Sequence, residues 1–255
     1  MLIKKLIIVS LLLVSVLIPS AWAQVAITND QQYVGEDGIF HIVGEIENNS
    51  SVPLNQIVVT ATLYSEDGSV LGTMNTNSIL ETLMPGQKGP FDLIVFDNTV
   101  SKIHGYSLTA KYKPADSKTE SLEILSSNAK RDMVDNFIIS GTVTNHDQRT
   151  ANTVVVIATL YDRDGKVVAA GRAYTEPEYL KSGNIAPFLI SVTDKSQSRK
   201  VSDYSLNVES EEYTAVPEFP LGSGIMLIFS VAAYLMFTKK SDVITTMLSR
   251  VINSK

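Results

Sequence analysis

The chain has no cysteine, and only three of its 255 residues are histidine. The first absence excludes disulfides, so an exported domain built from this sequence has to hold itself together with an apolar core. It also excludes every thiolate zinc or iron–sulfur centre. Basic residues are scarce in the middle of the chain. Residues 24–220 contain 15 Lys and Arg against 26 Asp and Glu, a formal charge of −11. A surface of that sign argues against nucleic acid and anionic lipid as partners of this region. The sequence also lacks a nucleophile elbow, paired histidines and a metal signature, and with them the marks of a hydrolase.

What is present begins with two apolar segments at the ends. Lys4 and Lys5 precede an apolar run from Leu6 to Ile18, then Pro19-Ser20 and the small-residue box Ala21-Trp22-Ala23. This is the layout of a secretory signal over residues 1–23, with cleavage expected between Ala23 and Gln24. An uncleaved signal anchor is the other reading. Near the far end, Leu221 to Phe237 carries no charge, and Lys239-Lys240 follow at once. That pattern predicts a transmembrane helix over 221–238. Basic residues on one flank and Glu211, Glu212 and Glu218 on the other place the C-terminus inside, a type I single-pass topology. In the tail, 239–255, Val243, Ile244, Met247, Leu248, Val251 and Ile252 recur at helical spacing. They predict a short amphipathic helix, on the inner leaflet or against a partner.

Between the ends the sequence repeats itself. A shift of 97 residues aligns 40–97 with 137–194 without gaps, at 21 identities in 58 positions. Phe40-x-Ile42-x-Gly44 falls on Phe137-x-Ile139-x-Gly141, and Asn48 on Asn145. Val58-Val59-x-Ala61-Thr62-Leu63-Tyr64 falls on Val155-Val156-x-Ala158-Thr159-Leu160-Tyr161, Asp67-Gly68 on Asp164-Gly165, and Pro90-Phe91 on Pro187-Phe188. After one inserted residue, Tyr106-Ser107-Leu108 meets Tyr204-Ser205-Leu206. The period is too long for a solenoid and fits an independent sandwich domain. Ile57, Val59, Ala61 and Leu63 alternate with more polar neighbours, as do Val154, Val156, Ala158 and Leu160, which predicts half-buried strands. Asp-Gly supplies a hairpin turn after each, and Pro-Phe is expected to open a further strand. The fold class expected is therefore all-β: two tandem immunoglobulin- or fibronectin-III-like β-sandwiches, at 24–121 and 122–213, with a signal helix before them and one membrane helix after a linker at 214–220.

These repeated residues resemble a known family. The Gly-x-Ile/Val-x-Asn opening, the Leu-Tyr-x-x-Asp-Gly centre and the Pro-Phe strand are similar to the FxLYD domain of bacterial and archaeal surface proteins, over about residues 25–210. The second copy, with Thr159-Leu160-Tyr161-Asp162, follows the pattern more closely than the first, which has Ser65 where the motif has aspartate. The resemblance implies a cell-surface β-sandwich and brings no ligand or activity with it. Separately, Pro217, Glu218, Phe219 and Pro220, followed by the span and the basic pair, are similar to the Pro-Glu-Phe C-terminal sorting signals of archaeal envelope proteins. Those signals are cut and replaced by lipid. This chain continues fifteen residues past Lys240, where such signals usually stop, so a permanent anchor stands beside processing.

Candidate chemistry is sparse. His41, His104 and His146 are not shared between the copies, which argues against a metal site or triad. Asp162-x-Asp164-Gly165 reads as a hairpin turn and not a calcium loop, since Lys166-Val167-Val168 follow; Asp132, Asp135 and Asp162 are the acidic residues available to an ion between the domains. Asn48 and Asn49 head two overlapping glycosylation triplets. Tyr64/Tyr161 and Tyr106/Tyr204, being shared, read as structural aromatics. No catalytic, cofactor or metal residue is assigned. The function expected is a non-enzymatic, membrane-anchored surface protein whose sandwiches contact an envelope protein or glycan. The alternative is a receptor for a metal or small ligand held in the interdomain cleft.

Overall fold

A computed structural model describes residues 24–96 and 100–216. The expected signal segment with Ala23, the motif Pro217–Pro220, the span and the tail lie outside the described residues. Those described form fourteen strands, β1 to β14 in chain order, in one compact unit that ends at Ala215. The class is all-β, in the manner of a β-sandwich.

The repeat is visible in the strand pairing. In the first copy, β1 (Val25–Val34), β2 (Phe40–Asn48) and β6 (Lys88–Val95) form one sheet. The other contains β4 (Val70–Asn77), β3 (Leu54–Tyr64) and β7 (Gly105–Pro114), with the two-residue β5 (Thr82–Leu83) at the foot of β3. In the second copy β8 (Thr119–Arg131), β9 (Phe137–Asn145) and β12 (Ile185–Val192) repeat the first set. The second set recurs as β11 (Val167–Tyr174), β10 (Val155–Tyr161) and β13 (Asp203–Glu209). β5 recurs only as the isolated bridge between Ala151 and Leu180, and β14 (Tyr213–Ala215) has no equivalent in the first copy: it lies parallel to β8 and antiparallel to β13, joining the second copy's two sheets into one. A four-residue helix, α1 (Lys195–Ser198), capped by the Asp194 carboxylate, connects β12 to β13.

The alternation read from the sequence holds in the first copy: Ile57, Val59, Ala61 and Leu63 are all buried in its core with Phe40, Ile42, Phe91 and Leu93. Val154, Val156, Ala158 and Leu160 occupy the corresponding core of the second copy. Both Asp-Gly turns close hairpins, with Gly68 at φ 82° and Gly165 at φ 76°, a region that favours glycine. Two details differ from expectation. The strand opening the second copy starts at Thr119, before the apolar Leu122 from which the repeat was counted, and pairing in the last strand continues to Ala215. Pro90 and Pro187 sit inside β6 and β12, each a sheet-edge strand, where the missing N–H breaks no ladder.

The same residue organises one loop in each copy. Asn48 is fully buried; its amide donates to the carbonyls of Val52 (2.9 Å) and Leu83 (2.8 Å), and its Oδ1 accepts from Ser50 N (3.0 Å). Asn145 donates to Arg149 O (2.8 Å) and Leu180 O (2.9 Å) and accepts from Asp147 N (2.9 Å). One side chain thus satisfies two backbone groups of its own loop and ties that loop to a third, the carbonyl of Leu83 on β5 or of Leu180 at the matching bridge.

Candidate functional site: the junction between the repeats

The alternation of β10 breaks where the two copies meet. Ile157 and Thr159 point away from the second copy's own core, yet are 1% and 2% exposed. Ile157 belongs instead to the first copy's apolar cluster, with Val155 packed beside it. The outer face of β10 and β11, with the foot of β13 at Asn207 and Glu209, therefore meets the first copy, and what meets it is the outer face of β1, β2 and β6. On that face Val43 and Glu45 are buried although the pleat turns them away from their own core.

Burying Glu45 without partners would be costly. Its carboxylate accepts from Asn29 Nδ2 (2.9 Å) and from the hydroxyl of Tyr161 across the junction, with Lys88 Nζ at 3.7 Å. Burial, and then this carboxylate beside it, push the Tyr161 phenol up. A second carboxylate crosses in the opposite direction. Glu209, on β13, accepts from the backbone N–H of Glu81 (2.7 Å) and Thr82 (3.4 Å), with Lys118 Nζ at 3.6 Å. Gln87 donates to Asn207 Oδ1 (3.0 Å), Asn207 to Lys88 O (3.2 Å), and Gln31 Nε2 to Val167 O (2.6 Å). At the other end of the junction the Asp194 carboxylate takes Glu36 N (3.1 Å). Foot meets foot and tip meets tip, so the copies lie side by side in the same direction.

Most of these residues are copy-specific. At the positions of Val43, Glu45, Ile157 and Glu209 the other copy has Ser140, Thr142, Thr60 and Lys111. The signal was present in the repeat alignment as its mismatches, whereas sequence reasoning attended to its matches.

Burial of Glu209 raises its pKa, against the opposing pull of the Glu81 N–H and Lys118. A carboxyl group raised on folding is ionised at a lower pH in the unfolded chain, so the folded form holds the extra proton and stability falls as pH rises. Asp132, Asp147, Asp194 and Glu212 are lowered and act in the reverse sense, losing stability on acidification. The expected result is that Glu209→Gln, compared with the parent by thermal unfolding, removes a loss of stability that sets in as pH rises through the carboxylate range. A difference between the two chains that does not change across that range would contradict it.

The residues singled out in the sequence are dispersed. His41 Nδ1 lies 2.9 Å from Asp92 and its ring stacks on Tyr33. Burial lowers the His41 pKa, but Asp92, with Asp37 and Asp194, outweighs it and leaves the group raised. His146 meets Glu123 on the surface, and His104 is exposed. Asp162 accepts from the N–H groups of Asp164 (3.0 Å) and Lys166 (2.9 Å), the bonding of a hairpin turn. Asp132 serves its own turn in the same way, and Asp135 pairs with Arg199 at 2.6 Å. Among the described residues no three acidic or histidine side chains are grouped to hold a metal. Tyr106 donates to Asp30 (2.6 Å) and Tyr204 lies 3.1 Å from Ser127, so these shared tyrosines tie β7 to β1 and β13 to β8. Of the two glycosylation candidates, Asn48 has its amide committed inside the fold while Asn49 is exposed. Gln24 is held at the foot of the first copy, its carbonyl accepting from Asn49 N (2.9 Å).

One shallow depression, of about 580 Å³, lies on the outer face of β8, β9 and β12, lined by Ser126, Asn128, Thr142, Tyr174 and Leu189 among others. It belongs to the second copy alone. Among the described residues no helix is long and apolar enough to cross a membrane.

No protein-family model matches this chain, and no curated protein matches it. Among solved structures it is similar to IrmA from Escherichia coli, at 9% identity and a TM-score of 0.26 over 40% of this chain and 86% of that one. It is similar to the exo-chitosanase CsxA of Amycolatopsis orientalis at 12% identity and a TM-score of 0.27, and to red sea bream transglutaminase at 11% and 0.24. Each of the latter two matches covers 76% of this chain, but only 26% and 32% of the enzyme. Similarity at this level carries no argument about what the chain does.

Proposed function

We propose that this chain is a non-enzymatic surface protein, tethered by its C-terminal segment, whose two immunoglobulin-like sandwiches of FxLYD type present a rigid interaction module to the cell envelope. The observation that supports this reading is the junction. Buried ion-paired and apolar contacts fix the second copy against the first, so the pair is one stiff body and not two beads on a linker. The chain enters this body at Gln24, at the foot of the first copy, and leaves it at Ala215, which pairs with Leu122 at the foot of the second. The opposite end, with the turns at 35–38, 132–135 and 162–165, stands about 30 Å away along the strands, clear of both attachment points. The receptor alternative calls for open space between the copies, where Glu45, Ile157 and Tyr161 are packed.

The test is protease treatment of intact cells followed by mass spectrometry of what is released and what stays. The expected outcome is release of a strand-region fragment beginning at Gln24, with the membrane retaining the C-terminal piece or its lipid-bearing replacement. Release only after the membrane is permeabilised, or recovery of the chain with residues 1–23 attached and free in the cytoplasm, would overturn the proposal.

A further inference from the structure

We infer that molecules of this chain associate with one another in an open row, each using the outer face of β8, β9 and β12 against the outer face of β3, β4 and β7 of the next. This names a partner for the interaction role proposed above and rests on that reading.

The chain itself supplies the template. Its junction is heterologous: the β1–β2–β6 face of the first copy is seated on the β10–β11–β13 face of the second. Because the two copies are repeats, each used face has an unused equivalent: β8–β9–β12 on the second copy, and β3–β4–β7 on the first. A heterologous contact that does not close on itself leaves such a complementary pair of faces at the two ends, and repeating it builds a row.

The free faces carry the apolar exposure that such a contact would remove. Val70 is 62% exposed, whereas Val167, its equivalent inside the junction, is fully buried and its carbonyl accepts from Gln31. On the other free face Ile185 and Leu189 are 58% and 60% exposed, at positions where the covered face has Lys88 and Asp92. The unoccupied face is thus more apolar along its edge strand than the occupied one, and the depression of about 580 Å³ beside Leu189 lies on it. Charges correspond as well. Where Glu209 reaches the Glu81 segment in the junction, the free faces place Lys111 opposite Glu178, both exposed and of opposite sign. Tyr64, the equivalent of Tyr161, then stands opposite Thr142, the equivalent of Glu45.

The absence of cysteine makes the contact directly testable, since introduced thiols are the only ones present. A tyrosine–glutamate contact spans two long side chains, too far for a disulfide between the backbones, so a short bis-maleimide is the reagent. Within one molecule Tyr64 and Thr142 lie on the outermost faces of four stacked sheets, about 30 Å apart at the usual sheet spacing, and cannot be joined. The full-length chain in its membrane, carrying Tyr64→Cys and Thr142→Cys together, is expected to give a ladder of dimer, trimer and higher bands. A second pair, Val70→Cys with Asn128→Cys, copies the Val167–Gln31 contact and guards against one variant failing to fold. Leu189→Lys added to either pair is expected to reduce the ladder at least tenfold. No ladder from either pair, while both variants reach the surface, would overturn the association and leave the surface role standing. Dimer formed by Thr142→Cys alone would overturn it too, because it would show like faces meeting.

Discussion

Among the described glycines, Gly141 is the one where alanine is expected to be most damaging. A Cβ built at Gly141 falls 2.0 Å from the carbonyl oxygen of Ser126 and 2.7 Å from the Phe188 ring. The first neighbour is backbone, at a register shift of β8 where Leu125 is squeezed out of the ladder, so no rotamer change relieves it. We expect a loss of about 3 kcal/mol or more, by analogy with overpacked cores. The measurement is urea unfolding of the variant beside Gly72→Ala, where a Cβ meets nothing within 4 Å. Equal effects at the two positions would show that the shift in β8 is not held as described. Gly44, the repeat equivalent, meets the Phe91 ring at 2.8 Å and the Asp30 side chain instead of a main-chain atom, so Gly44→Ala is expected to fall between the two.

The second large effect is expected at the paired asparagines. Asn145→Ala leaves the carbonyls of Arg149 and Leu180 and the N–H of Asp147 without their partner, at a cost of about 3 kcal/mol on the usual scale for unsatisfied buried groups. Asn145→Asp keeps the acceptor but sets a carboxylate against two carbonyl oxygens, so it is expected to be no better than alanine. Asn48→Ala and Asn48→Asp should show the same order in the first copy. Thermal unfolding of the four variants decides it; aspartate rescuing either site would mean that the amide donors matter little and that the loop is held by something else.

These two positions also show how far a sequence can be read. The repeat alignment exposed Gly44/Gly141 and Asn48/Asn145 as invariant between copies, and the alternation around Val59 and Val156 placed the cores on the correct faces. Local pattern sufficed there because a strand's own period decides which side is buried. The junction needed more. Ile157 breaks the alternation of β10, and Val43 and Glu45 look like ordinary solvent-side residues, because what buries them is the other copy, a contact more than a hundred residues away in sequence. Burial of a carboxylate such as Glu209 has no local signature at all. It depends on the N–H groups of Glu81 and Thr82, at the start of β5 in the preceding copy. The mismatches between repeats carry that information, but only once the arrangement of the copies is known do they become legible.

The added strand β14 has a mechanical consequence. Tension applied beyond Ala215 does not reach the first copy directly; it arrives at three residues bridging the two sheets of the second copy, held by the wholly enclosed Tyr213 ring, whose hydroxyl donates to Asp147 (2.9 Å) beneath the Arg149 guanidinium. Because β14 runs parallel to β8, from foot to tip, a pull toward the tip shears its hydrogen bonds together, whereas a pull toward the foot would open them one by one from Ala215. The latch is stiffest in the direction in which the last described residues already point.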